Sequence, residues 1–326
     1  MKLETLSTRH LLGIEGLPTS DILAIFRTAS AIEQESRESV GSLLSGRTVV
    51  NLFVEDSTRT RNSFHLAATR LGASVLNVTG QGSSLSKGES LRDTLRVLEA
   101  MGIDALVLRH SSAGAPHYLA TGSGVPVINA GDGRHEHPTQ ALLDGYTLCR
   151  EWEPTEEKKA FQGKTVGIVG DIAHGRVALS NIFLLRKLGA RVLVCGPPTL
   201  MPKGVEELGV EVVQNVDDLL ASVDAVIMLR MQLERQGPSL VPSLAEYSRL
   251  YGLTAERLRR IDREDLLILH PGPVNRGVEI TPEIADGGRS LILKQVTNGV
   301  SVRMAVLALL LSGRDQADTG APGPTS

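Results

Sequence analysis

Thr48-Val49-Val50-Asn51-Leu52-Phe53-Val54 runs directly into Glu55-Asp56-Ser57-Thr58-Arg59-Thr60-Arg61. The first seven residues are mostly apolar and β-branched, the pattern of a buried strand. Beyond the second seven, Phe64, Ala67, Ala68 and Leu71 share one face of a helix. The motif therefore sits where a strand turns into a helix, with Ser57 as the candidate N-cap. A helix start carries unsatisfied N–H groups and a partial positive charge, so it favours acidic neighbours. Here the first turn holds Arg59 and Arg61 beside the hydroxyls of Thr58 and Thr60. No Glu or Gln three residues after Ser57 closes a capping box. The alternative is a plain cap with solvated arginines. Cations, hydroxyls and N–H groups converging on one point favour an external anion instead, and phosphate is the obvious candidate.

The alternation continues outward. A helix spans Leu17 to Ser36 before the motif. Strands are expected at Ser74 to Val78, Asp104 to His110 and Val125 to Ala130. Between the first two lie a glycine- and serine-rich loop, Gly80 to Glu89, and a helix started by Ser90 with Asp93. Pro138 suits the first turn of a helix running to about Trp152. Trp152 to Lys159 is charged and marks a surface junction. A second alternation starts at Lys164, with strands at Val166 to Val169, Val192 to Cys195, Glu211 to Val213, Ala225 to Arg230 and Leu266 to His270. A helix covers Val177 to Leu188, and another, Thr297 to Leu311, closes the chain. Residues 313–326 read as a disordered polar tail.

Two alternations predict an α/β chain of two parallel-sheet domains, with ligands bound at the carboxyl ends of the strands. Arg59, Arg109, His137, Arg176, Arg230 and His270 all fall at or just after those ends. Their recurrence predicts an active site in the cleft between the domains.

Composition narrows the field. The chain has 326 residues, 41% hydrophobic and only 3% aromatic, so its cores are built from Leu, Val, Ile and Ala. A net charge of −3 argues against general affinity for nucleic acid or acidic membranes. Cys149 and Cys195 stand far apart, which suits a reducing compartment and no disulfide framework. The N-terminus has no signal-peptide pattern, and the longest apolar run, Met304 to Leu311, is too short to span a membrane. A soluble cytoplasmic protein is expected.

Several near-motifs fail. Gly41 to Thr48 has Arg47 where a P-loop needs Lys, and it precedes a strand. Gly167, Gly170 and Gly175 lack dinucleotide spacing, and no acid follows the next strand. His135-Glu136-His137 has no third ligand of the usual zinc spacing, so no metal is expected. No Ser–His–acid arrangement suggests a covalent nucleophile.

With these residues in hand, the chain resembles the aspartate/ornithine carbamoyltransferase family up to about Leu311. Ser57-Thr58-Arg59-Thr60 matches its S-T-R-T motif, and His137-Pro138-Thr139-Gln140 its H-P-T-Q motif. Ornithine enzymes carry His-Cys-Leu-Pro and Ser-Met-Gly segments. Here His270-Pro271-Gly272-Pro273 and Leu229-Arg230-Met231-Gln232-Leu233-Glu234-Arg235 stand in their places, as in the aspartate branch. The charge agrees: Arg176 and Arg230 offer forks for a dicarboxylate and would repel a cationic side chain.

The resemblance implies transfer of a carbamoyl group from carbamoyl phosphate to L-aspartate, without cofactor. It implies a carbamoyl-phosphate-binding domain, 1–138 with 297–312, and an aspartate-binding domain, 139–296. Ser57, Thr58, Arg59, Thr60 and Arg109 would hold phosphate. Arg59, Thr60 and His137 would stabilise the oxyanion. Gln140, Pro271, Gly272 and Pro273 would contact the carbamoyl NH₂ group, and Pro273 is a candidate for a cis peptide bond. Arg176, Arg230, Gln232 and Lys87 would bind aspartate. Ser84 and Lys87 would reach in from the neighbouring subunit of a homotrimer. Regulatory chains and dihydroorotase partner some members, and nothing in this sequence selects between them. Asp56 departs from the pattern, placing an acid where relatives often have a neutral residue. Two rivals stand: a carbamoyltransferase for ornithine or a related amine, and a catalytically silent scaffold subunit.

Overall fold

The structure, a computed structural model, describes residues 3–80, 88–152, 159–231 and 243–312. The chain divides into two compact units, Met1–Thr139 with Gly299–Ser326, and Gln140–Asn298.

The first unit holds a four-stranded parallel sheet of β1 (Thr48–Phe53), β2 (Ser74–Thr79), β3 (Ala105–His110) and β4 (Val127–Asp132), in the order β2-β1-β3-β4. Its helices are α1 (Thr19–Gln34), α2 (Arg37–Gly41), α3 (Thr58–Arg70), α4 (Leu91–Ala100) and α5 (Ala115–Ala120). β1, β3 and β4 are buried almost throughout, while β2 is a largely exposed edge. Val50, Leu52, Leu106 and Leu108 pack against Leu95, Leu98 and Leu119 from α4 and α5. Both faces of the inner strands are covered, which is why their sequence is apolar without alternation.

The second unit holds a five-stranded parallel sheet of β5 (Thr165–Val169), β6 (Arg191–Cys195), β7 (Glu211–Val212), β8 (Ala225–Met228) and β9 (Leu267–Leu269), in the order β7-β6-β5-β8-β9. It adds α6 (Pro138–Trp152), α7 (Arg176–Lys187), α8 (Val216–Ser222), α9 (Leu244–Tyr251), α10 (Ala255–Ile261), α11 (Pro282–Ala285) and α12 (Ile292–Ser312). The unit boundaries fall inside α6 and α12, so the chain passes from one unit to the other within helices.

Two boundaries differ from the sequence reading. β8 ends at Met228 rather than at Arg230, leaving Arg230 in the following loop. α12 starts at Ile292, five residues early, because Gln295 has buried partners that make its polarity compatible with a packed helix. α12 also passes the length and composition test for a membrane span, yet 67% of that window is buried within the protein, as in a core helix.

Candidate functional site

In each sheet the strand order reverses once, between β1 and β3 in the first unit and between β5 and β8 in the second. Such switch points are where open α/β sheets leave a crevice beyond the strand ends. Each is flanked by two arginines: Arg59 and Arg109 follow or end β1 and β3, and Arg176 and Arg230 follow β5 and β8.

In the first unit Ser57 occupies the N-cap position of α3, yet its side chain makes no capping hydrogen bond, and the first turn contains no acid. Thr60 is buried, whereas Thr58 and Arg59 are exposed. The Arg109 carbonyl accepts from the N–H groups of Val54, at 2.9 Å, and Glu55, at 3.4 Å. The Arg109 guanidinium is buried and donates to Ala130 O at 3.2 Å and to Glu55 Oε1 at 2.8 Å. Glu55 thus ties the motif to Arg109 by main chain and side chain. The acid set against an arginine is Glu55, which the sequence reading passed over in favour of the exposed Asp56.

His137 is buried and directly precedes α6. The turn leading to it is rigidly built. Asp132 Oδ1 accepts from Asn129 Nδ2 at 2.8 Å and from the Glu136 N–H at 3.1 Å. The buried Glu136 carboxylate accepts from the N–H groups of Ile14, at 2.7 Å, and Glu15, at 3.2 Å. A side chain at Gly13 would collide with it. Glu136 is therefore a structural acceptor, which removes it from any metal reading of His135-Glu136-His137.

In the second unit the loop after β5 is closed by the buried Asp171, whose Oδ1 accepts from the His174 N–H at 3.0 Å. Gly175 comes so close to Asp171 O that any side chain there would clash. This turn leads into α7 with Arg176, only 3% exposed, as its first residue and no acid in the first turn. Arg230 is half-buried beyond β8. Asn275 Nδ2 donates to Met231 O at 3.1 Å, bracing that loop.

His270 organises the loop after β9. Its Nδ1 accepts from the Gly272 N–H at 2.8 Å, so the proton sits on Nε2 and is donated to buried Glu279 at 3.0 Å. The Gly272–Pro273 peptide is cis, with Gly272 at φ 64°.

Asp144, fully buried on α6, joins three of these segments. Its Oδ1 accepts from Gln140 Nε2 at 2.8 Å and Gln295 Nε2 at 2.7 Å, and its Oδ2 from Asn181 Nδ2 at 2.9 Å. Gln295 Oε1 in turn accepts from the His270 N–H at 3.0 Å. With its NH₂ committed to Asp144, Gln140 has its carbonyl oxygen to offer a ligand NH₂. Sequence reading missed Asp144, Asn181, Gln295, Glu279 and Glu55. One signal was present: Asp144 lies four residues after Gln140, on the same helix face.

Ser84, Lys87 and Gln232, expected site residues, lie outside the described residues. Both cysteines are free and buried, and burial pushes the Cys195 thiol up to about 11, which leaves it unsuited to nucleophilic attack.

Two family models cover most of the chain. "Aspartate/ornithine carbamoyltransferase, carbamoyl-P binding domain" matches residues 9–150, and the corresponding "Asp/Orn binding domain" matches residues 162–310. The chain is 54% identical over 299 residues to the aspartate carbamoyltransferase catalytic subunit of Myxococcus xanthus, covering 92% of this chain and 98% of that protein. It is 51% identical over 322 residues to that of Rhodopirellula baltica, covering 96% and 93%. Among solved structures it is similar to the catalytic subunit of M. jannaschii aspartate transcarbamoylase, with a TM-score of 0.80, 34% identity and coverage of 94% and 99%. It is also similar to aspartate transcarbamoylase from Trypanosoma cruzi in complex with carbamoyl phosphate and aspartate, with a TM-score of 0.82, 31% identity and coverage of 95% and 100%.

Proposed function

We infer the function from a premise that these matches carry: the chain belongs to the aspartate/ornithine carbamoyltransferase family. It is an enzyme. It transfers the carbamoyl group from carbamoyl phosphate to L-aspartate, giving N-carbamoyl-L-aspartate and phosphate for pyrimidine synthesis. The observation that carries the choice of acceptor is the arginine pair, Arg176 and Arg230, at the switch point of the second sheet. Guanidinium forks suit a dicarboxylate and disfavour ornithine.

The residue roles follow from chemistry. Ser57, Thr58, Arg59, Thr60 and Arg109 hold the phosphate. Arg59, Thr60 and His137 polarise the carbamoyl carbonyl and stabilise the oxyanion as the amine adds. Gln140 and the carbonyls of Pro271 and Gly272 accept from the carbamoyl NH₂, with Pro273 closing that loop. Arg176 and Arg230 take the two carboxylates, joined by Gln232 and Lys87. The neutral aspartate amine attacks the carbonyl carbon and a C–N bond forms. The bond from carbon to the phosphate oxygen then breaks, and the departing phosphate accepts the amine proton. Positioning and preorganised charge supply the catalysis.

A homotrimer in which Ser84 and Lys87 complete a neighbour's site fits the exposed edge strand β2, with Leu76 on it and Leu66 on α3 also exposed. A cytoplasmic location fits two free, buried cysteines.

The test is product formation from aspartate beside ornithine. Turnover with aspartate alone is expected, rising from pH 6 to 9 because an α-amino group loses its proton near pH 8. Turnover with ornithine instead, or none with either in a well-folded assembly, overturns the assignment.

A further inference from the structure

Apart from the residues given roles above, His117, Asp132 and His135 each bring one ligand atom to within 4.8 Å of the others. His117 is exposed on α5, Asp132 is buried at the end of β4, and His135 is partly buried in the turn that follows. The two imidazoles meet edge to face with centroids 5.5 Å apart. His135 Nδ1 lies 3.1 Å from Asp132 Oδ2. We propose that these three side chains form a binding site for a divalent transition metal of the zinc class.

The donor set fits. Two imidazole nitrogens and one carboxylate oxygen are a common zinc complement, with the fourth tetrahedral position open to water. Zinc bonds of about 2.0–2.1 Å set ligand atoms of a tetrahedron about 3.3 Å apart. The pair His135 Nδ1 and Asp132 Oδ2 already stands near that separation. Only His117 has to turn inward, and its exposed ring is free to rotate about two side-chain bonds.

Asp132 is held as a metal ligand needs to be held. A carboxylate offers about four lone-pair positions. Asn129 Nδ2 and the Glu136 N–H take those of Oδ1. The Gly114 N–H takes one of Oδ2 at 2.7 Å. The last points at His135. There a metal ion replaces the ring proton, and His135 moves its proton to Nε2. The surrounding donors fix the carboxylate in the way outer-shell hydrogen bonds fix metal ligands elsewhere. The resulting cross-link joins α5 to the turn that ends at His137.

The sequence reading sought a third ligand near His135 and His137 and found none. The partner is His117, supplied from another strand–helix unit by the pairing of β3 with β4. A helix of six residues between them in the chain hides that proximity from any spacing rule.

The test uses the full-length protein, stripped with chelator, dialysed and titrated with zinc chloride by calorimetry. Wild type is expected to bind one zinc per chain. His117→Gln and His135→Asn are expected to weaken binding at least about tenfold. His65→Ala, which removes a histidine elsewhere in the first unit, is expected to keep the wild-type affinity. Circular dichroism melting shows that each variant is folded. Zinc-edge X-ray absorption of the loaded wild type should show two imidazole ligands with oxygen donors. Absence of zinc uptake by wild type overturns the proposal. Equal affinity in wild type and folded His117→Gln does so too, as does equal loss in the His65→Ala control.

Discussion

Two helices with hydroxyl N-caps, α3 and α10, begin in opposite ways. At α10 the Thr254 hydroxyl accepts from the Arg257 N–H at 3.1 Å, Glu256 sits in the first turn, and Arg259 and Arg260 occupy the last. Every charge there agrees with the helix dipole. At α3 the Ser57 side chain makes no capping bond, no acid is present in the first turn, and Arg59 and Arg61 sit at the positive end. One start satisfies itself. The other is built for something supplied from outside. α7 follows α3: its N-cap is Gly175, its first residue is Arg176, and its first turn has no acid. The lesson is that a locally unfavourable helix start, set beside favourable ones in the same chain, marks a ligand site better than conformity does.

The comparison can be broken by mutation. Arg59→Ala should lower kcat by about a hundredfold or more while leaving Tm unchanged, because Arg59 is exposed. Steady-state kinetics with a melting curve decides it, and near-normal kcat would put α3 in the same class as α10. Thr58→Asp supplies the acid that α3 lacks. Stability should rise by about 0.3–1 kcal/mol, whereas KM for carbamoyl phosphate should rise about tenfold or more. A variant both stabler and fully active would show that no anion binds there. Thr254→Ala should cost about 1 kcal/mol in denaturant unfolding with kinetics untouched, as expected of a cap that serves only the fold. Ser57→Ala sharpens the contrast most finely. With no capping bond to lose, its stability should change by less than about 0.5 kcal/mol, and the loss should appear in carbamoyl phosphate binding. A loss as large as that of Thr254→Ala would make Ser57 an ordinary cap.

The inner strands were legible in the sequence because burial on both faces leaves unbroken β-branched runs. Arg59, Arg109, Arg176 and Arg230 were legible for a related reason: a cation that ends such a run must lie at a strand end. α6 was legible to the residue from Pro138 and its periodicity. Other features were not. α8, α10 and α11 are too short to establish a period, at seven residues or fewer. The Ile292 start of α12 was hidden because Gln295 looks like a surface residue until its buried partners are known. Asp144 was hidden for the same reason. An acid on a helix reads as solvent-facing, and only the fold brings Asn181 and Gln295 to it. His117 shows the limit most clearly, since no spacing rule links it to His135.

The three amides converging on Asp144 have a consequence for heat inactivation. Gln140, the α7 helix through Asn181, and the loop behind His270 through Gln295 all take their alignment from one carboxylate. Release of that anchor misaligns all three at once. Heated slowly, the enzyme should therefore lose turnover in a single phase, in step with the collapse of its second unit, with no milder, partly working form on the way.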